Sequence, residues 1–258
     1  MPEGDTIHRT ANRLRPALAS QPVVHFDAQR LTGNQPRVGD VIESVEAVGK
    51  NLLIRFPERL VLHTHMKMTG SWHLYRPDEK WQKDPKLARV VLEVPDWVAV
   101  CFSAPVVRTW IDVAGSPNPL SPLGPDLCLA DPDIDLIVDR IAALAEPGTS
   151  IADVLLNQQV AAGIGNVYKS EALWACNISP FLPIEHIDQD MRRQLFRTAG
   201  RQLRANLTTP TRTTVPGGLA VYGRNGRPCR RCRTTIRSRA HGDQARVTYW
   251  CPVCQDPR

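Results

Sequence analysis

The tightest constraint on this chain lies in its last thirty residues, where Cys229-x2-Cys232 and Cys251-x2-Cys254 stand eighteen residues apart. Two cysteine pairs on facing turns make a tetrahedral thiolate cage, the arrangement zinc prefers. A segment of this size cannot bury enough apolar surface to fold alone, so a metal takes the place of a core. Because cysteine fills all four positions, no coordination site is left for water, and one structural Zn2+ is expected rather than a catalytic one. Between the pairs, Thr234 to Arg239 and Ala245 to Trp250 predict a hairpin that presents Arg246 from a rigid scaffold.

Charge adds a direction to this frame. The 258 residues carry a formal net charge of +6, which favours an anionic partner. From Arg192 to Arg246 there are fourteen arginines, no lysine and one acid, Asp243. Arginine suits bidentate phosphate contact better than lysine does. No apolar run reaches the roughly 18 residues a membrane span needs, and no charged-then-apolar leader is visible, so a cytoplasmic protein without a membrane partner is expected. Cys101, Cys128 and Cys176 lie scattered in apolar surroundings and read as small buried hydrophobes.

The chain opens Met1-Pro2-Glu3-Gly4-Asp5-Thr6, followed by Ile7, Ala11, Leu14, Ala17 and Leu18 at helical spacing, so a helix should begin near Asp5 or Thr6. If Met1 is removed, Pro2 becomes a free secondary amine. An α-amine titrates near about pH 8, so an appreciable fraction is unprotonated and nucleophilic at neutral pH, and it could attack a sugar aldehyde carbon to form an iminium. Glu3 beside it could act as general acid and base, a task that needs a partly desolvated carboxyl group. From Val23 to Phe102 the pattern is mostly strand and suggests an antiparallel sandwich. Within it Gly49-Lys50-Asn51 sits at a tight turn that could aim Lys50 into a cleft. Met66 to Trp72 reads as another turn, with Met68 at a tip able to wedge into a base stack. His63, His65 and His73 lack an acidic partner or a recurring ligand spacing, so no metal is expected there.

Val113 to Leu129 is rich in proline and glycine and reads as a linker. Beyond it the chain turns helical, with Ile134 to Leu144, Ile151 to Asn157, and Asp188 to Leu207. The last has Met191, Leu195, Ala199, Leu203 and Leu207 inward and Arg192, Arg193, Arg197, Arg201 and Arg204 largely outward. Between two helical patterns stands Gln158 to Leu173, in which Gly163 and Gly165 permit a compact turn. Asn166 stands where an N-cap should, so its side chain and the backbone N–H groups behind it would hold an anion at the positive end of a helix dipole.

Taken together, Pro2-Glu3-Gly4, Gly49-Lys50-Asn51-Leu52-Leu53, the stretch Gly163 to Glu171, and Val221-Tyr222-Gly223-Arg224 leading into the cysteines resemble, in the same order along the whole chain, the formamidopyrimidine-DNA glycosylase and endonuclease VIII family of base-excision repair. The resemblance implies an α+β multidomain fold. Residues 1–113 would be a catalytic β-sandwich with an N-terminal helix, 114–129 a linker, 130–215 a helix–two-turns–helix domain, and 216–258 a four-cysteine zinc finger built on a β-hairpin. It implies a bifunctional DNA glycosylase and abasic-site lyase, with Pro2 as the Schiff-base nucleophile, Glu3 as proton shuttle and Lys50 on the lesion's phosphate or sugar oxygen. Asn166 and Arg246 would grip flanking phosphates, joined at the DNA surface by Tyr168 and Lys169, while Met68 fills the gap left by a flipped base. The partner is damaged DNA, bound by a monomer at the nucleoid of a bacterial cytoplasm. The short stretch Thr208 to Ala220 favours the endonuclease VIII branch and oxidised pyrimidines, whereas Met68-Thr69-Gly70 looks more like the 8-oxoguanine branch. An 8-oxoguanine or formamidopyrimidine glycosylase, and a non-catalytic zinc-dependent protein that binds damaged DNA, are the alternatives.

Overall fold

In the computed structural model, residues 2–242 and 245–256 are described; Met1 and Asp243, both named above, lie outside them. The chain divides into two compact units, one up to Ser121 and one from Pro122.

In the first unit, helix α1 (Gly4–Leu18) forms where the apolar spacing places it, and Ile7, Ala11, Leu14, Ala17 and Leu18 are all buried. It packs on two strands of an antiparallel sheet made of β2 (Ser44–Val48), β3 (Asn51–Arg55), β4 (Leu60–His65) and β8 (Val106–Ile111), in the order β2-β3-β4-β8. A second antiparallel sheet runs β1 (His25–Asp27), β6 (Ala88–Val94), β7 (Trp97–Phe102) and β5 (Ser71–Tyr75), in the order β1-β6-β7-β5. One core joins α1 to both sheets through Leu14, Val45, Leu52, Ile54, Leu62, Leu92, Ala99 and Cys101. The expected sandwich is present.

Two strands escape a reading of the sequence. β5 begins inside the stretch read as a turn, so Trp72 is a buried strand residue and not part of a tip. β8 follows Pro105 directly and runs into the proline-rich stretch, which masks a six-residue alternation. Strand period then sorts the first sheet's side chains. Leu52 and Ile54 face the core, while Asn51, His63 and Arg108 share the other face, with His63 and Arg108 directly opposite each other in the ladder.

The second unit contains α2 (Ile134–Leu144), α3 (Ile151–Leu156), α4 (Asn166–Ala175) and α5 (Gln189–Ala205), then a hairpin of β9 (Arg237–His241) and β10 (Arg246–Trp250). Short polar side chains cap three of the helices: Asp133, Ser150 and Asp188 accept from Leu136, Asp153 and Met191 backbone N–H groups. α4 is buried along Asn166 to Trp174, with α3, α5 and β10 packed against it. The α5 stripe differs from expectation at both faces. Met191 is exposed at the helix start, and three of the arginines placed outward are held by the fold. Arg192 donates to the Ile187 and Ile184 carbonyls, Arg193 pairs with Asp135 at 2.8 Å, and Arg204 donates to the Leu127 carbonyl. Arg197 and Arg201 remain exposed. No helix among the described residues is long and apolar enough to cross a membrane.

Candidate active site

Pro2 lies half-buried just ahead of α1, and Glu3 occupies the N-cap position with its residue fully buried. The Glu3 carbonyl accepts from the Thr6 and Ile7 amides at 3.0 and 3.2 Å. The first turn of the helix therefore fixes the backbone that carries both residues. Asp5, also buried, pairs with Arg9 one turn on at 3.6 Å.

Lys50 sits in the β2–β3 turn, where Gly49 adopts a φ of 57° that side chains rarely tolerate. Its ammonium acts on His65, whose pKa is held down first by burial and then by the Lys50 and Lys67 charges. Met68 stands 61% exposed at the β4–β5 turn while Met66 is buried beneath it. The Thr69 hydroxyl donates to the Ser103 carbonyl, which buttresses the tip. A Cβ on Gly70 would come within 2.7 Å of the Met66 Cα, so only glycine closes this turn. His63 and His73 have protein partners at both ring nitrogens, Asn51 and Arg108 for the first, Ser71 and Tyr75 for the second.

In the second unit the turn between α3 and α4 departs from expectation. Gly165, not Asn166, is the N-cap of α4; Asn166 is already the first helical residue and is 5% exposed. Its amide turns toward the hairpin, with Nδ2 donating to the Val247 carbonyl at 2.7 Å. An amide nitrogen has two N–H groups, so one remains for an anion. Val247 is the neighbour of Arg246, the first residue of β10. One hydrogen bond thus ties Asn166 to the strand residue next to Arg246, the other residue expected to grip a flanking phosphate. Tyr168 and Lys169, expected at a DNA surface, are buried instead: Lys169 donates to the Thr248 hydroxyl at 2.8 Å, and the Arg212 guanidinium lies 5.5 Å from the Tyr168 ring centroid. α4 is enclosed on all sides, so polar side chains on every face of it find partners inside.

Glu171 is the largest feature that sequence reasoning passed over. Fully buried, its carboxylate accepts backbone N–H groups from Ala220 at 2.7 Å, Val221 at 2.9 Å and Tyr222 at 2.8 Å, and also the Thr214 hydroxyl. It ties α4 to the segment that leads into the cysteines. Arg230 secures the same segment from the other side, donating to the Pro216, Gly217 and Leu219 carbonyls. With Lys169 two residues away and off its helical face, an acid without a basic partner three or four residues along is the one signal that could have suggested backbone donors.

The four cysteines converge. Their sulfurs lie within 4.8 Å of one another, with Cys229 to Cys254 at 3.9 Å and Cys232 to Cys251 at 3.4 Å. Tetrahedral Zn–S bonds of about 2.3 Å require sulfurs about 3.8 Å apart, so the set fits a metal ion. Backbone N–H groups of Arg231 and Cys254 and the Trp174 indole point at the Cys229 and Cys251 sulfurs, the outer hydrogen bonds that thiolates favour.

The formamidopyrimidine-DNA glycosylase N-terminal domain family matches residues 1–105, and the H2TH domain of the same enzymes matches residues 123–215. A probable endonuclease 8 2 of Streptomyces coelicolor is 37% identical, covering 99% of this chain and 94% of that protein. This chain belongs to the formamidopyrimidine-DNA glycosylase and endonuclease VIII family. The family consists of DNA-repair glycosylases and abasic-site lyases. Another member, the DNA-(apurinic or apyrimidinic site) lyase Nei2 of Mycolicibacterium smegmatis, is 35% identical over 99% of both chains. The family fold is equally clear. The Lactococcus lactis glycosylase in complex with DNA containing N7-benzyl-Fapy-dG superposes with a TM-score of 0.84 at 20% identity, over 99% of this chain and 100% of that one. In family terms, the α3–turn–α4 segment is the helix–two-turns–helix element, and the hairpin is the four-cysteine finger.

Proposed function

We propose that this protein removes oxidised bases, chiefly pyrimidines, from DNA and then cleaves the strand, with Pro2 as nucleophile. The carrying observation is the Pro2–Glu3 pair, fixed at the start of α1 with Glu3 buried, in a chain of this family. The Pro2 nitrogen forms a bond to C1′ of the damaged nucleotide while the glycosidic bond breaks, and the base leaves with a proton. Opening of the sugar breaks C1′–O4′, and Glu3 supplies the proton that O4′ takes up. The resulting iminium acidifies the C2′ hydrogen. Its loss expels the 3′ phosphate, and a second elimination expels the 5′ phosphate. Hydrolysis of the imine returns the amine. Lys50, as a fixed cation in the β2–β3 turn, balances charge on the lesion's phosphate or sugar oxygen.

Asn166, through its remaining N–H and the α4 amino end, and Arg246 beside it hold flanking phosphates. Lys169 serves this surface indirectly, by locking α4 to the hairpin through Thr248, and Tyr168 by packing in the helical core against the Arg212 guanidinium. Zinc held by Cys229, Cys232, Cys251 and Cys254 supplies folding free energy and no chemistry. The catalytic sandwich spans 1–113, the linker 114–129, the helical domain 130–215 and the finger 216–258, acting as a monomer at the nucleoid of a bacterial cytoplasm. The relatives named endonuclease 8 and the short 208–220 stretch support the pyrimidine preference. Borohydride should trap a covalent adduct with DNA containing dihydrouracil or an abasic site, and far less with Pro2→Gly. Equal trapping by Pro2→Gly would remove Pro2 from the mechanism, and a preference for 8-oxoguanine in the same panel would reverse the substrate assignment.

A further inference from the structure

On the outer face of the first unit's β2-β3-β4-β8 sheet, three side chains form a relay that ends at the turn carrying Lys50. Arg108, half-buried on β8, donates from Nε to His63 Nδ1 at 3.0 Å. A ring nitrogen that accepts carries no proton, so the proton of this imidazole sits on Nε2. His63 Nε2 then donates to Asn51 Oδ1 at 2.8 Å. With its acceptor thus engaged, Asn51 must present Nδ2 to the other side, where it donates to the Val48 carbonyl at 3.0 Å. Val48 and Asn51 are the two residues that close the β2–β3 turn, and Lys50 lies between them.

We propose that His63 is a positioning residue for Lys50, acting through Asn51 and held in its tautomer by Arg108. This rests on the reading of Lys50 given above. The burial of the relay shows why it has a fixed sense: His63 is 2% exposed and Asn51 7% exposed, so neither can exchange its partner for solvent. The groups that face His63 are Asn51 from β3, Arg108 and the edge of the Trp110 ring from β8, and His65 on its own strand. Arg108 and His65 oppose a charge on the ring, and burial opposes it more strongly, which lowers its pKa to about 3. The imidazole is therefore a neutral spacer in the working pH range and takes no part in proton transfer.

A double-mutant cycle on the full-length protein tests the assignment. Single-turnover cleavage of abasic-site DNA and equilibrium binding to uncleavable tetrahydrofuran-site DNA are measured for His63→Phe, Arg108→Met and Lys50→Met, and for each of the first two combined with Lys50→Met. We expect His63→Phe to slow cleavage by about tenfold or more, the cost of a misplaced reacting group, with the binding constant within about twofold of wild type. Arg108→Met should do the same to a smaller degree. Neither should slow cleavage further once Lys50 is methionine. Wild-type rates for both single variants, or a full additional loss in the Lys50→Met background, would overturn the proposal. If His63→Phe loses its circular dichroism signal, the Arg108→Met arm, whose side chain is not in the core, decides by the same criteria. A wild-type rate for Lys50→Met alone would instead refute the role of Lys50 itself, and the proposal with it.

Discussion

Replacing Glu171 with glutamine changes one oxygen to an amino group and almost nothing in volume, yet it should cost about 3–5 kcal/mol. The carboxylate accepts Val221 and Tyr222 amides on Oε1, and the Ala220 amide and Thr214 hydroxyl on Oε2. The least damaging glutamine rotamer puts its NH2 at the Oε2 position, where the Thr214 hydroxyl can rotate to accept. The Ala220 N–H then faces a donor and is left buried without a partner, at about 1–3 kcal/mol. The two amides on the remaining oxygen lose the assistance of a full charge, about 1 kcal/mol each. Against a typical total stability of about 5–15 kcal/mol this is a large fraction. Hydrogen exchange on the zinc-loaded protein is the direct assay. Amides of 220–222 should exchange faster by about two to three and a half orders of magnitude, at roughly 1.4 kcal/mol per decade, while those of the first unit keep their rates. Unchanged protection at 220–222, or equal acceleration in both units, would refute the reasoning that this carboxylate locally anchors the entry to the finger.

Three further outcomes follow from the same geometry. Cys251→Ser should release the metal and abolish DNA binding while the near-ultraviolet signal of the sandwich persists; retained tight binding would remove Arg246 from the interface. Asn166→Asp places a negative charge against the Val247 carbonyl and any bound phosphate, and should weaken binding to duplex DNA more than tenfold with a shallower salt dependence, measured by fluorescence anisotropy across a salt series. His63 has a folded pKa depressed to about 3 against an ordinary value of 6.5. Its contribution to stability is therefore complete above about pH 6.5 and is lost as pH falls toward 3. Denaturant titrations should show His63→Phe losing less stability than wild type across that window.

How much of this was legible in the sequence depends on whether an element speaks through its own periodicity or through its partners. α1 was placed to within two residues by Ile7, Ala11 and Leu14, and α2 by its apolar spacing, because a helix that buries one stripe displays it. The cysteine set was legible because metal geometry fixes spacing. β5 and β8 were not: β5 starts directly after the turn residue Gly70 and β8 directly after Pro105, so neither short run of alternation stands apart from its turn. The hardest residues to read were the buried polar ones. Asn166, Lys169 and Glu171 sit on a helix enclosed on all sides, and their partners are Val247, Thr248 and the amides of 220–222, some 50 to 80 residues away in sequence. Nothing local distinguishes such a lysine from one that meets solvent. The family resemblance supplied the polar motif, and the structure supplied what each of its members touches.

The central claim is that the chain's own amino terminus performs the chemistry. Protein with Met1 removed and no amino-terminal tag should be incubated with dihydrouracil DNA and borohydride, digested, and the crosslinked peptide sequenced by tandem mass spectrometry. The account predicts a deoxyribose-derived adduct on the Pro2 nitrogen and loss of that adduct when Pro2 is blocked. An adduct on Lys50, or undiminished crosslinking of the blocked protein, would contradict it.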